Sequence, residues 1–190
     1  MGNKNVLVIN GATRVKGNTD IMLNRLRSSA LPAQVKVQQI DLRKKNIKDC
    51  IGCFQCSDHT KCSLKDDMVE VYRQINRSGL IIFASPVYWW GVTGIMKILI
   101  DRLYFYYSDL NNPFIKGKKT MVLAPMNMSS DNYKTKIFQE FFQIVFDNLN
   151  MDLMDTHLFG NINEKGEIEN NPKYLDQIDQ LGKTLAKRLL

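Results

Sequence analysis

With 190 residues, 44% of them hydrophobic, the chain has the length of one compact domain, and a second independent core is not expected. No apolar run reaches the ~18 residues that cross a bilayer, and MGNKNVLVIN passes straight into a strand pattern without an apolar leader, so a cytoplasmic protein with no membrane partner is expected. The net charge of +7 comes from 26 Lys and Arg against 19 Asp and Glu. These are scattered along the chain, which offers no stripe for nucleic acid and suits anionic small molecules.

Residues 4–10 (KNVLVIN) form a short β-branched run of the kind found in a central parallel strand, and Gly11 ends it. Asn18 and Thr19 are both capping residues, and Ile21, Leu23 and Leu26 follow with roughly helical spacing. Residues 35–41 alternate as a second strand, 65–77 reads as a helix, and the apolar run 79–84 (GLIIFA) is a third strand stopped by Ser85-Pro86. From Thr93 to about Tyr107 the apolar residues keep a helical period, with Pro113 and Gly117 in the loop beyond. Strand four at 119–125, a helix at 132–147, a weaker strand at 151–159 and an amphipathic helix at 172–189 complete the pattern. Strands alternating with helices predict an α/β fold with a parallel sheet covered on both faces. Five strands suit the flavodoxin-like doubly wound order 2-1-3-4-5, in which a ligand lies at the switch point between strands one and three. The loops after residues 10 and 84 are therefore expected to meet.

Those two loops are the most distinctive in the chain. GATRVKGNT, residues 11–19, joins strand one to helix one with two glycines, Arg14, Lys16 and two capping side chains. Backbone N–H groups at a helix start, the helix dipole and a guanidinium all suit a phosphate. An ordinary capped turn with a solvated Arg reads the same loop, which is neither a Walker loop nor a G-x-G-x-x-G pattern. SPVYWWG, residues 85–91, places Tyr88, Trp89 and Trp90 between Pro86 and Gly91. Three aromatics in one loop suit a flat heteroaromatic ring; packing under the next helix or in a dimer contact would use them equally.

All four cysteines fall in one insertion at about 43–64, as Cys50, Cys53, Cys56 and Cys62, spaced C-x2-C-x2-C-x5-C. Such clustering without a secretion signal points to metal or redox chemistry before disulfide stapling. The four thiolates suit one [4Fe-4S] cluster. Zinc on the same sulfurs, or on three of them with His59, and an empty or disulfide-bearing loop are the alternatives. Neither His59 nor His157 lies in the two distinctive loops.

GATRVKGNT resembles the G-S-x-R-x-x-G-N-T loop of the flavodoxin-like NAD(P)H-dependent FMN reductase family, and ASPVYWWGVTGIMKILIDR resembles that family's S-P-x-Y-x-x-x-x-x-x-x-K-x-x-x-D-R segment. CIGCFQC, followed by KCSLKDDM, resembles the branch that includes the iron-sulfur flavoproteins. The resemblance implies that Arg14, Asn18 and Thr19, with Ala12 and Gly17 in the same loop, hold an FMN phosphate. It implies that Ser85, Pro86, Val87, Tyr88, Trp89, Trp90 and Gly91 surround the isoalloxazine. Ala12 stands where the family usually has Ser, which removes one hydroxyl contact. The loop from Pro125 to Ser130 occupies the place of a third flavin loop and matches no quoted pattern. The implied function takes hydride from NAD(P)H and passes electrons to a quinone, a flavin or another small acceptor, without a catalytic acid or base. An electron carrier between protein partners is the alternative, and a homodimer or homotetramer is expected.

Overall fold

The computed structural model describes residues 5–30 and 35–189. Lys4, the expected first residue of strand one, lies outside them. The strands are β1 (Val6–Asn10), β2 (Val37–Asp41), β3 (Leu80–Ala84), β4 (Lys119–Pro125) and β5 (Asp152–Phe159). They form one sheet in the order β2-β1-β3-β4-β5, every pairing parallel. The helices are α1 (Asn18–Ala30), α2 (Met68–Arg77), α3 (Gly94–Arg102), α4 (Thr135–Asn148) and α5 (Pro172–Leu189). No helix among the described residues is long and apolar enough to cross a membrane.

The central strands are apolar on both sides because each side is covered. In β1, Leu7 and Ile9 face the layer of α2, α3 and α4, whereas Val6 and Val8 face α1 and α5. β3 divides the same way, with Ile81 and Phe83 on the first face and Leu80, Ile82 and Ala84 on the second. On the first face Phe83 packs against Phe142 and Phe146 of α4, at ring-centroid distances of 6.1 and 5.1 Å. Period-two alternation along each strand thus fills two cores at once.

The expected elements occur with shifted ends. Helix α2 begins at Met68 rather than residue 65, because the Asp66 carboxylate accepts the Met68 N–H at 3.0 Å and sets the start of the turn. The expected helix from Thr93 to Tyr107 splits at Arg102, and Leu103–Tyr106 continues as a 3-10 turn. The bulky residues of that turn accompany the tightening: buried Phe105 stacks on Tyr72 of α2 and buried Tyr106 meets the same ring edge-on.

His157 on β5 is largely buried, and burial pushes its pKa below the ordinary value of 6.5, with the nearby Asp155 carboxylate opposing the shift. The fold therefore favours neutral imidazole. That contribution is full above about pH 6.5 and is lost as pH falls through the folded-state pKa. The melting temperature should fall between pH 7 and 5, and His157→Gln should flatten that part of the profile. An identical slope in the variant would exclude His157 as its source.

Candidate flavin site at the sheet switch point

The ends of β1 and β3 are joined by direct bonds between their loops. The Gly11 N–H donates to the Ala84 carbonyl at 2.8 Å, and the Thr93 hydroxyl donates to the Gly11 carbonyl at 2.6 Å. A side chain at position 11 would place its Cβ 2.8 Å from Met96, so this approach requires glycine. Thr93 also caps α3, accepting the Met96 N–H at 3.3 Å. Its own N–H donates to the buried Ser85 hydroxyl at 3.2 Å.

The first loop is shaped from below by Asn10. Its Nδ2 donates to Asp20 at 2.7 Å and to Asp41 at 3.0 Å, and its Oδ1 accepts the Ala12 N–H at 3.0 Å. Arg43 Nη1 donates to the same Asp20 oxygen at 2.9 Å and to the Ala12 carbonyl at 3.2 Å. The Lys16 N–H donates to the other Asp20 oxygen at 2.7 Å, holding Lys16 at φ 53°. Burial alone would raise the Asp41 pKa, but bonds from Gln39 and Asn10 and the Arg43 charge hold it below 3.8.

The second loop is a two-residue turn in which Tyr88 and Gly91 exchange N–H···O bonds, both 2.9 Å. Trp89 and Trp90 take φ 47° and 65°, both in the left-handed region. Asn-Gly usually fills such a turn, and each left-handed tryptophan costs roughly 1–3 kcal/mol. Trp89 is 97% exposed, whereas Trp90 is half-buried under Lys134, whose Nζ lies 5.1 Å from the ring centroid.

Together these loops enclose a cavity of about 470 Å³. Ala12, Arg14, Gly17, Asn18 and Thr19 line it from the first loop, and Pro86, Val87, Tyr88, Trp89 and Trp90 from the second. Ser85 and Gly91 do not line it: Ser85 braces the base of the loop, and Gly91 closes the turn. Asn18 lines the cavity with its amide already engaged, donating to the Glu164 carbonyl at 2.8 Å and accepting the Ile168 N–H at 3.2 Å. Arg14 is exposed, with Nη1 3.3 Å from the Asn163 carbonyl.

The remaining walls are Pro125 to Met128, which lie in the expected third loop, and Ile162 and Asn163, which the sequence reading missed. β4 and β5 continue pairing beyond their ends through Met126 N–H to Phe159 O at 2.9 Å, Asn161 N–H to Met128 O at 2.9 Å and Ile162 N–H to Met126 O at 2.8 Å. Gly160 permits this contact, since a Cβ there would lie 2.4 Å from the Ser130 nitrogen. That glycine directly after strand five was the available signal.

Among the described residues, no three His, Cys, Asp or Glu side chains are arranged to hold a metal ion. Cys50 and Cys53 are exposed, while Cys56 and Cys62 are half-buried. Burial raises the Cys56 pKa, and the charges of Cys62, Cys50 and Cys53 raise it further. Four thiols are the donor set that an iron-sulfur cluster takes, and in this structure two of them lie on the exposed side of the loop.

A profile of the NADPH-dependent FMN reductase family matches residues 4–159. The chain belongs to that family. An iron-sulfur flavoprotein of Methanocaldococcus jannaschii is 33% identical over 97 residues, covering 51% of this chain and 50% of the relative. One from Clostridioides difficile is 37% identical over 108 residues, covering 55% and 48%. The chain thus spans about half the length of these curated relatives. A putative NAD(P)H-dependent FMN-containing oxidoreductase of Bacillus subtilis is 26% identical over 181 residues, 93% of this chain and 95% of the relative. Among solved structures, an NAD(P)H:quinone oxidoreductase from Methanothermobacter marburgensis superposes with a TM-score of 0.75 at 15% identity, over 95% of this chain and 98% of that one. That likeness shows the fold alone.

In this FMN reductase family member the fourth wall depends on one glycine. Gly160→Ala should force the Met126–Ser130 and Gly160–Asn163 segments apart and cost about 1–3 kcal/mol, as overpacking does. Urea unfolding measures it, and an unchanged midpoint would mean that these segments separate freely.

Proposed function

We propose that the chain is an FMN-dependent oxidoreductase that takes hydride from NAD(P)H and passes electrons to a quinone, a free flavin or another small acceptor. The observation that carries this reading is the cavity itself. A helix N-terminus and Arg14 line it from the first loop, aromatic and apolar side chains line it from the second, and its volume of about 470 Å³ lies in the range of small-molecule sites. In this reading Arg14, Thr19 and the first turn of α1 hold the phosphate, with Ala12 and Gly17 allowing close backbone approach. Asn18 acts by fixing the Asn163–Ile168 segment against the first loop. Pro86, Val87, Tyr88 and Trp90 flank the ring system together with Met126, and Trp89 stands at the rim.

Bound FMN would supply the hydride-accepting and electron-donating chemistry; the chain's own share is binding, orientation and access. Cys50, Cys53, Cys56 and Cys62 would hold a [4Fe-4S] cluster, which supplies one-electron transfer. Support for this is the donor set described above and the names of the iron-sulfur flavoprotein relatives. These names, with the exposed Ile51 and Phe54 on the cysteine loop, favour the second reading, an electron carrier between protein partners. Exposed apolar residues, Tyr133 and Ile137 among them, support a homodimer or homotetramer.

The flavin released on heating the pure protein should be FMN, at about one per chain. NADH or NADPH alone should bleach the bound flavin within seconds under anaerobic conditions. Bleaching by dithionite or a reduced protein, but by neither nucleotide, would replace the reductase by the carrier. Arg14→Ala should weaken FMN binding by about 1–2 kcal/mol, the low end for a charge-assisted bond because the side chain is exposed. An unchanged dissociation constant would remove Arg14 from the phosphate site.

A further inference from the structure

The cysteine loop is fastened to the domain by buried side chains that the flavin cavity does not use. Arg102, the last residue of α3, and Asp66 form an ion pair in which each side chain is 1% exposed. Arg102 Nη1 donates to Asp66 Oδ2 at 2.6 Å and to the Lys48 carbonyl at 2.8 Å. Its Nη2 donates to Asp66 Oδ1 at 3.2 Å and to Cys62 Sγ at 3.5 Å. Asp66 also accepts the Lys48 N–H at 2.9 Å. One guanidinium therefore ties the segment before Cys50 to the segment after Cys62.

A second anchor holds the middle of the loop. Asn111, fully buried, donates to the carbonyls of Cys56 and His59, both at 2.9 Å. Cys56 and Cys62 thus belong to a fixed inner side, while Cys50 and Cys53 ride on an exposed arm turned by Gly52 and Phe54 at φ 61° and 55°. A buried ion pair often gains little over an apolar pair of the same size, so stability is a weak account of this one. Asp66 neutralises the guanidinium, so what bears on a cluster here is the N–H donor to the Cys62 sulfur, which favours the more negative, reduced state.

We propose that Arg102 is a positioning residue of the cysteine site, closing the base of the loop, presenting Cys62 as a preset ligand and raising the reduction potential of an iron-sulfur cluster held there. This rests on the reading of the four cysteines as cluster ligands.

The test is anaerobic reconstitution of the full chain with ferrous iron and sulfide. It compares wild type with two double variants that remove both buried charges together, Arg102→Gln with Asp66→Asn and Arg102→Met with Asp66→Leu. Circular dichroism and FMN content report the fold. Wild type should take up about four irons per chain. A folded double variant should hold less than half the wild-type iron. What it holds should have its reduction equilibrium shifted about tenfold toward the oxidised form, which is 59 mV for a one-electron couple. Wild-type iron content and potential in a folded double variant would overturn the proposal while leaving the cluster standing. If neither double variant folds, Arg102→Lys decides, because it keeps the charge and loses the Cys62 contact: faster iron release to a chelator supports the proposal, and wild-type release overturns it. A wild type that takes up no iron overturns the cluster reading and this proposal with it.

Discussion

The buried carboxamide of Asn10 is the constraint on which the switch point depends. It sits where β1 ends, fully buried, and must satisfy two donors and an acceptor without water. It does so by joining Asp20 of α1, Asp41 of β2 and the backbone of Ala12. Two carboxylates below the proposed phosphate site would repel that ligand. Arg43 offsets them, 2.9 Å from Asp20 and 3.8 Å from Asp41, with its side chain only 16% exposed. Asp20 is thereby occupied holding the Lys16 N–H, and the loop keeps its curve before any ligand arrives. Preorganisation of this kind reduces the ordering cost of binding.

The second loop of the cavity is built with strain rather than satisfaction. Two consecutive left-handed tryptophans are a poor choice for a two-residue turn, and a turn of Asn and Gly would form more readily. Long-range bonds hold the flanks in place, with the Val87 N–H on the Pro125 carbonyl at 3.1 Å and the Ser85 N–H on the Leu123 carbonyl at 3.1 Å. Strain held by its surroundings in this way is typical of ligand clamps. It presents indole surface at a cavity rim where a relaxed turn would present none.

The fold was legible because its signals are local. The short apolar runs at Val6–Asn10 and Leu80–Ala84, bounded by turn residues, read as strands covered on both sides, and the alternation of strands with helices points to parallel pairing through right-handed connections. The two loops were legible because Gly11, Arg14, Pro86 and the Tyr-Trp-Trp run are unusual residue types at strand ends. Ile162 and Asn163 were not, because they reach the site through pairing of two loop continuations 36 residues apart, as in Met126 with Ile162. For the same reason Thr93 read only as the first residue of a helical stretch, although its hydroxyl laces the two loops together. Cysteine spacing named a donor set but could not reveal that Arg102 and Asn111 divide it into a fixed pair and an exposed pair, since those contacts span 40 and 55 residues.

Titration of the apoprotein with FMN and with riboflavin, side by side, tests most directly the claim that the first loop is a preformed phosphate site. The two ligands share the ring system that would meet the aromatic turn and differ only in the phosphate. The account predicts FMN bound at least about 100-fold more tightly, close to 3 kcal/mol, with the difference shrinking as salt rises. Equal affinity for the two would contradict it, leaving the Asn10-centred loop as an ordinary strand-to-helix connection.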